Sequence, residues 1–188
     1  MNQLFYDKIA NSTAHRPIRD ELSAMVLRDK NLLPDLVKIA IDVTDKNHHK
    51  ACWVSELVFE NKIDWLQDYL DAFCDTLEKY THESAIRPVS KICLFAADHH
   101  YKGKIPFLNG KHLSKITETC FDWLIDPKGK VATKAYSMRT LYILGKKEDW
   151  IYPELENILP LGFPQHTAAY KSAAKDILQR IEKSKKAI

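Results

Sequence analysis

Glycine is scarce in this chain, with 5 residues among 188, and proline contributes only 8. This composition excludes collagen-like and low-complexity proteins, which are rich in one or both residues. No apolar run approaches the roughly 20 residues that a membrane-spanning helix requires, since the longest is the hexamer 92–97. Because segment 1–10 also lacks the basic and apolar regions of a secretory signal, we expect neither a membrane partner nor export.

Cysteine is sparse and unclustered. The four cysteines, Cys52, Cys74, Cys93 and Cys120, are separated by 22, 19 and 27 residues, without a C-x-x-C pair. Each falls in an apolar stretch with helical periodicity, which predicts reduced thiols in the core rather than a disulfide or a zinc site. Reduced thiols are typical of the cytoplasm, where we expect the protein to act.

Common catalytic motifs are missing as well. The sequence contains no G-x-S-x-G, no H-E-x-x-H and no dinucleotide fingerprint. Adjacent histidines occur at 48–49 and 99–100, but neighbouring side chains on a helix diverge by about 100°. We therefore interpret these histidines as solvent-exposed turn residues, and we expect no metal, no cofactor and no catalytic residues.

Helical periodicity runs through almost the whole sequence. Apolar residues recur at i, i+3, i+4 and i+7, and alternation typical of strands is absent. The predicted helices are 18–30, 33–41, 51–59, 65–77, 85–97, 113–125, 131–144, 150–159 and 167–181. The segment between 98 and 112 is the longest one expected to be irregular, with a tight turn at Asn109-Gly110.

The helices form pairs, and the pairs repeat. Four basic residues, which we call the anchors, are each followed by leucine seven positions later, at separations of 37, 47 and 37 residues. The anchors are Lys50, Arg87, Lys134 and Lys171. Such a period near 40 residues resembles HEAT and armadillo-type repeats, in which stacked helix pairs bury a continuous core. The resemblance implies an all-α fold, an α-α superhelix of four to five helix pairs, forming a single domain over residues 1–188.

The same resemblance implies structural and binding roles for particular residues. In HEAT repeats an acidic residue at the end of the first helix pairs with a basic residue early in the second. The matching pairs here are Asp42 with Lys50, Glu78 with Arg87, and Asp126 with Lys134. The fourth repeat departs from the pattern, because Gly162 and Phe163 occupy the acidic position.

Second helices of such repeats line the concave face, where we expect a binding surface. The candidate residues are Lys91, Arg139, Lys175, Tyr136 and Tyr170, with the lysines of the long loop, Lys102 and Lys104, reaching over one end. Residues 101–188 carry 16 basic and 9 acidic side chains, an excess that suits an anionic partner. The final segment, 183–188, is predicted to be a basic, frayed tail.

Two functions agree with these features. Helical solenoids present extended grooves, which favours a non-enzymatic module that binds a protein or peptide on its concave face. The alternative is a HEAT-like protein that grips duplex DNA in a basic groove, similar to alkylpurine DNA glycosylases built from such repeats.

Overall fold

A computed structural model describes residues 1–103 and 105–186, so Lys104, Ala187 and Ile188 lie outside the described residues. Within those two ranges the chain contains ten α-helices and no strand, which confirms the predicted all-α class. The helices are α1 (Gln3–Ala10), α2 (Arg16–Arg28), α3 (Leu33–Ile41), α4 (His48–Asn61), α5 (Leu70–Cys74), α6 (Glu83–Lys102), α7 (Gly110–Ile125), α8 (Val131–Leu144), α9 (Ile151–Leu161) and α10 (Ala168–Lys186).

The chain divides into two compact units, which we call unit 1 (Met1–Phe95) and unit 2 (Ala96–Ile188). In unit 1, α4 packs against α2 and α3. In unit 2, α8 packs against α7 and α10, and α9 packs against α10. Each unit has its own apolar core, with Leu36, Val54 and Leu66 fully buried in the first, and Ile116, Met138 and Leu155 in the second. None of the described helices is long and apolar enough to cross a membrane.

Helix α1 was not among the predicted helices. Asn2 begins it by accepting a hydrogen bond from the Phe5 amide at 3.1 Å, and Phe5 and Ile9 bury one face. An N-cap followed by two apolar residues four positions apart is the signal in the sequence that indicates this helix.

The helix predicted over 65–77 is broken in the structure. Residues Ile63–Tyr69 form a 3₁₀ helix, only Leu70–Cys74 are α-helical, and Leu77–Lys79 form a further 3₁₀ turn. Leu66, Leu70, Phe73 and Leu77 are nevertheless all buried. The apolar residues are thus buried as their spacing predicted, although the segment is not one continuous α-helix. Both 3₁₀ and α segments can direct residues three or four positions apart toward a core.

The long loop is shorter than predicted. Helix α6 continues to Lys102, and α7 begins at Gly110. Asn109 is the N-cap of α7, because its side chain accepts a hydrogen bond from the His112 amide at 2.9 Å. Asn109-Gly110 is therefore a helix start rather than a tight turn, because asparagine serves equally well in caps and turns.

The basic tail predicted at the C-terminus is helical as far as Lys186. Lys185 forms an ion pair with Glu156 of α9 at 2.7 Å, and Lys186 pairs with Glu182 one turn earlier at 2.6 Å. Positive side chains in the last turn of a helix are also favoured by the helix dipole. These contacts explain why the helix extends through the lysines.

Candidate functional site

The predicted binding residues of α8 lie on its solvent side. Arg139 is exposed and Tyr136 is half-buried. They share a stripe with Ala132 and Ile143 at i, i+4, i+7 and i+11, while Met138 and the other buried residues face the core. Within residues 1–103 and 105–186, the guanidinium of Arg139 has no acidic partner.

Helix α10 packs against α8 and presents a second exposed stripe. Ser172, Lys175, Gln179 and Glu182 are exposed at i, i+3, i+7 and i+10. Lys175 has no ion pair with any described residue, because its neighbour Asp176 instead binds Arg180 at 3.0 Å. We refer to the solvent-facing residues Tyr136 and Arg139 of α8 and Lys175 of α10 together as the α8–α10 surface.

Tyr170, by contrast, belongs to the core and not to a binding face. It is 2 % exposed, and its hydroxyl donates to the Leu159 carbonyl near the end of α9 at 3.4 Å. A Cβ added at Gly162 would lie 2.4 Å from that hydroxyl oxygen. Tyr170 packs directly against the backbone at Gly162, and this explains why glycine occupies the position where the repeat pattern predicted an acidic residue.

Lys91 is engaged inside unit 1. Its ammonium lies 3.1 Å from carboxylate oxygens of both Glu56 and Glu60. Burial alone would lower the pKa of Lys91, but these hydrogen bonds outweigh it and raise the pKa. The positive charge of Lys91, which we expected to face a binding groove, is therefore neutralised by Glu56 and Glu60 of the same chain.

Of the two lysines expected to reach over the groove, only Lys102 is described, and it lies in a helix and not in an overhanging loop. Lys102 is the last residue of α6 and pairs with Asp98 one turn earlier at 2.7 Å. Lys104 lies outside the described residues. The loop instead folds back on α6, since the Phe107 and Leu108 amides donate to Nδ1 of His100 at 3.1 and 2.9 Å. Burial lowers the pKa of His100 below its ordinary 6.5.

All four anchors lie early in a second helix, at the third to fifth residue of α4, α6, α8 and α10. Two of them bind backbone carbonyls rather than carboxylates. Lys134 is 1 % exposed, and its ammonium donates to the carbonyls of Leu124 and Asp126 at 2.7 and 2.6 Å, at the end of α7. Lys50 donates to the carbonyl of Ala10, the last residue of α1. These lysines satisfy carbonyls that a helix end leaves without partners.

The other two anchors differ. Arg87 pairs with the buried Glu56 at 3.3 Å, and Arg19 approaches the same carboxylate at 3.8 Å. Lys171 is half-buried, and no described residue forms an ion pair with it. All four anchors therefore lie early in their helices, but two bind carbonyls, one binds a carboxylate and Lys171 forms no ion pair with a described residue.

Two of the three acids expected to pair with the anchors, Asp42 and Asp126, bind the backbone of their own turns. Asp42 accepts from the hydroxyl and the amide of Thr44 at 2.6 and 3.1 Å, and these hydrogen bonds lower the pKa of Asp42. Asp126 accepts from the Lys128 amide at 2.9 Å, and only its backbone carbonyl receives Lys134. Glu78 is exposed in the 3₁₀ turn Leu77–Lys79. An aspartate directly after a helix readily accepts hydrogen bonds from the amides of the following turn. Its side chain is then not available to the basic residue of the next helix.

The adjacent histidines of unit 1, His48 and His49, are packed in helix α4 rather than exposed in a turn. His48 is 7 % exposed, and the rings of His49 and His82 stack at 4.3 Å. Burial, followed by the neighbouring charges of His82, His48 and Lys50, lowers the pKa of His49. Among the described residues, no group of three His, Cys, Asp or Glu could hold a metal ion. The four cysteines are buried thiols that form no disulfide, and burial raises the pKa of Cys52 and Cys120 to about 12.

Comparison with known proteins gives one positive result. A family model described as a HEAT repeat domain matches residues 6–181, which is most of the chain. The comparison found no matching curated protein and no matching solved structure.

Proposed function

This chain belongs to the HEAT repeat domain family, and on that premise we propose that it is a non-enzymatic interaction module that binds an acidic segment of a protein partner. Helical-repeat domains use the solvent faces of stacked helices as extended binding surfaces. We propose that the α8–α10 surface is the part of this chain that meets the partner. A cytoplasmic location fits the four buried thiols, which a reducing compartment would preserve.

The observation that carries this proposal is the state of Arg139 and Lys175. Both are exposed on helices that pack together, and neither forms an ion pair with a residue in the described ranges. A cation that has no acidic partner can bind an incoming carboxylate without first breaking an existing contact. Tyr136 adds an aromatic side chain on the same stripe of α8, of a type enriched at protein interfaces.

Duplex DNA is the second candidate, and the charge of unit 2 favours it. That unit carries 16 Lys and Arg against 10 Asp and Glu, a formal balance of +6. Lys91, one of the three cations expected in a basic groove, is however neutralised by Glu56 and Glu60. This leaves fewer cations on second helices for a phosphate backbone, so we place the acidic peptide first.

Fluorescence anisotropy with two labelled probes separates the candidates. One probe is a peptide rich in Glu and Asp, with a matched Gln and Asn peptide as its control, and the other is a DNA duplex. A DNA binder that makes 6–10 phosphate contacts loses about 10³- to 10⁵-fold in affinity between about 50 and 200 mM salt. We expect the acidic peptide to bind and the duplex not to bind, with a shallower loss of affinity between the two salt concentrations than a DNA binder shows, because fewer charged contacts are made. Preference for the duplex with a steep salt dependence would contradict the proposal.

A further inference from the structure

Unit 2 contains a pocket of about 220 Å³ that the sequence analysis did not identify. It lies between one face of α7, the last turn of α6 and the segment that joins α8 to α9. Its apolar lining includes Leu113 and Leu144. Pockets for drug-sized ligands measure about 300–1,000 Å³, so this pocket suits one side chain better than a cofactor.

Two aromatic residues stand at the pocket. Trp150 is 50 % exposed although it is a large apolar side chain, and its ring stacks on Phe121 of α7 with centroids 5.5 Å apart. Tyr101, from the end of α6, is half-buried. The stacking on Phe121 holds the indole in place, and an accessible aromatic face of this kind attracts a cation.

The charged residues that line the pocket are both acidic. They are Glu118 of α7 and Glu148 of the segment after α8, and both are exposed. Glu118 accepts a hydrogen bond from the Ser114 hydroxyl at 2.6 Å, which orients its carboxylate. Neither glutamate forms an ion pair with a cation in residues 1–103 or 105–186. The charge of Glu148, after the larger effect of burial, raises the pKa of Tyr101.

An acidic and aromatic pocket is unexpected in a unit whose formal balance is +6. Lysines are plentiful in unit 2, yet none of those that the structure describes lines the pocket. Charge complementarity therefore points to a positive group supplied from outside. Arginine fits best, because its planar guanidinium can stack on an indole and bind carboxylates at the same time.

We propose that this pocket binds an arginine side chain of the protein partner, with the guanidinium on Trp150 and between Glu118 and Glu148. The inference rests on the proposed function in so far as it assumes a protein partner. It assigns to that partner a basic side chain, distinct from the acidic segment that would meet the α8–α10 surface.

The test is an NMR titration of the full ¹⁵N-labelled chain with a capped Gly-Arg-Gly peptide, carried out with a capped Gly-citrulline-Gly peptide as the neutral control. We expect the indole resonance of Trp150 and the amides of α7 to shift with arginine and not with citrulline. The variants W150A and E118Q/E148Q should each weaken binding about three- to tenfold. The matched variant E21Q/D68N removes two exposed charges of unit 1 and should bind normally.

Equal shifts with citrulline, or full binding by E118Q/E148Q, would overturn the inference. Binding of lysine peptides with the same affinity as arginine peptides would overturn the preference for a guanidinium. The acidic peptide probe keeps the two proposals apart. If that probe fails while Gly-Arg-Gly binds at Trp150, the proposed function fails and the pocket assignment stands, whereas the reverse result removes only the pocket.

Discussion

In unit 1 the carboxylate of Glu56 is buried beside Arg87, Lys91 and Arg19, whereas in unit 2 Arg139 and Lys175 face solvent and form no ion pair with a described residue. The overall charges follow the same division. Unit 1 has 12 basic and 15 acidic residues, a balance of −3, and unit 2 has 16 and 10, a balance of +6.

This difference separates charges that hold the fold from charges that remain available to a partner. A buried carboxylate with several cations around it is held by mutual Coulomb attraction, and removal of one member leaves the others uncompensated. Exposed charges contribute little to stability, so their replacement is tolerated by the fold. Substitution in unit 1 should therefore change stability, and substitution in the α8–α10 surface should change binding.

The largest effect is expected for Glu56→Gln. This change keeps the size of the side chain but leaves Arg19, Arg87 and Lys91 without their shared carboxylate. We expect the free energy of unfolding to fall by about 3–5 kcal/mol, measured by urea denaturation. The control is Glu60→Gln, because Glu60 is exposed and Lys91 is its one ion-pair partner among the described residues, and it should cost no more than about 1 kcal/mol. Equal costs for both variants would show that the buried network is not what stabilises unit 1.

A smaller effect is expected for Lys134→Met in unit 2. The change retains the apolar part of the side chain and removes the donors to the carbonyls of Leu124 and Asp126. An unsatisfied buried acceptor costs about 1–3 kcal/mol, which thermal or urea unfolding should detect. Lys171→Met alters the equivalent anchor, whose ammonium makes no ion pair with a described residue, and should cost less than about 0.5 kcal/mol. A neutral Lys134→Met would contradict the role assigned to the carbonyl contacts.

Acidification should loosen the contact of Phe107 and Leu108 with His100. The pKa of His100 is lowered in the folded protein, so the unfolded chain takes up the proton first as pH falls. Its contribution to stability is complete above about pH 6.5 and is lost below it. Protonation also blocks the Nδ1 atom that accepts the Phe107 and Leu108 amides. Hydrogen exchange should therefore show reduced protection of these two amides at about pH 5.5 relative to pH 7.5.

The variant His100→Gln should remove this pH dependence. His15→Gln, at an exposed position before α2, should leave it unchanged. Protection that falls equally in all three proteins would trace the effect to another group.

The helical pattern of the fold was readable in the sequence because it depends on local periodicity. Helices α3 and α8 have the predicted bounds, and the anchors fall in equivalent early positions of four helices. Burial of Leu66, Leu70 and Leu77 was also evident from spacing. The 3₁₀ geometry of that segment was not evident, since the same spacing is compatible with both helix types.

Partners of the polar side chains were much harder to predict. Lys134 and Tyr170 each satisfy a carbonyl at the end of the preceding helix, and a sequence carries no signal for a backbone acceptor. The Glu56 network joins residues 31 to 37 positions apart from three helices, so only tertiary packing reveals it. The pocket at Trp150 likewise depends on three separate segments, although an isolated tryptophan in a polar stretch, Glu148-Asp149-Trp150-Ile151, was a signal that sequence reasoning missed.

The central claim is that the free cations of unit 2 bind the partner while those of unit 1 do not. The most direct test measures the affinity of the acidic peptide for Arg139→Glu/Lys175→Glu and for the matched reversal Lys8→Glu/Lys38→Glu, which alters two exposed lysines of unit 1. We expect the first variant to lose affinity for the peptide by about tenfold or more for each charge-assisted contact removed. Its free energy of unfolding should not change. The second variant should bind the peptide normally. Equal losses in both variants would contradict the claim, because they would trace binding to net charge and not to the α8–α10 surface.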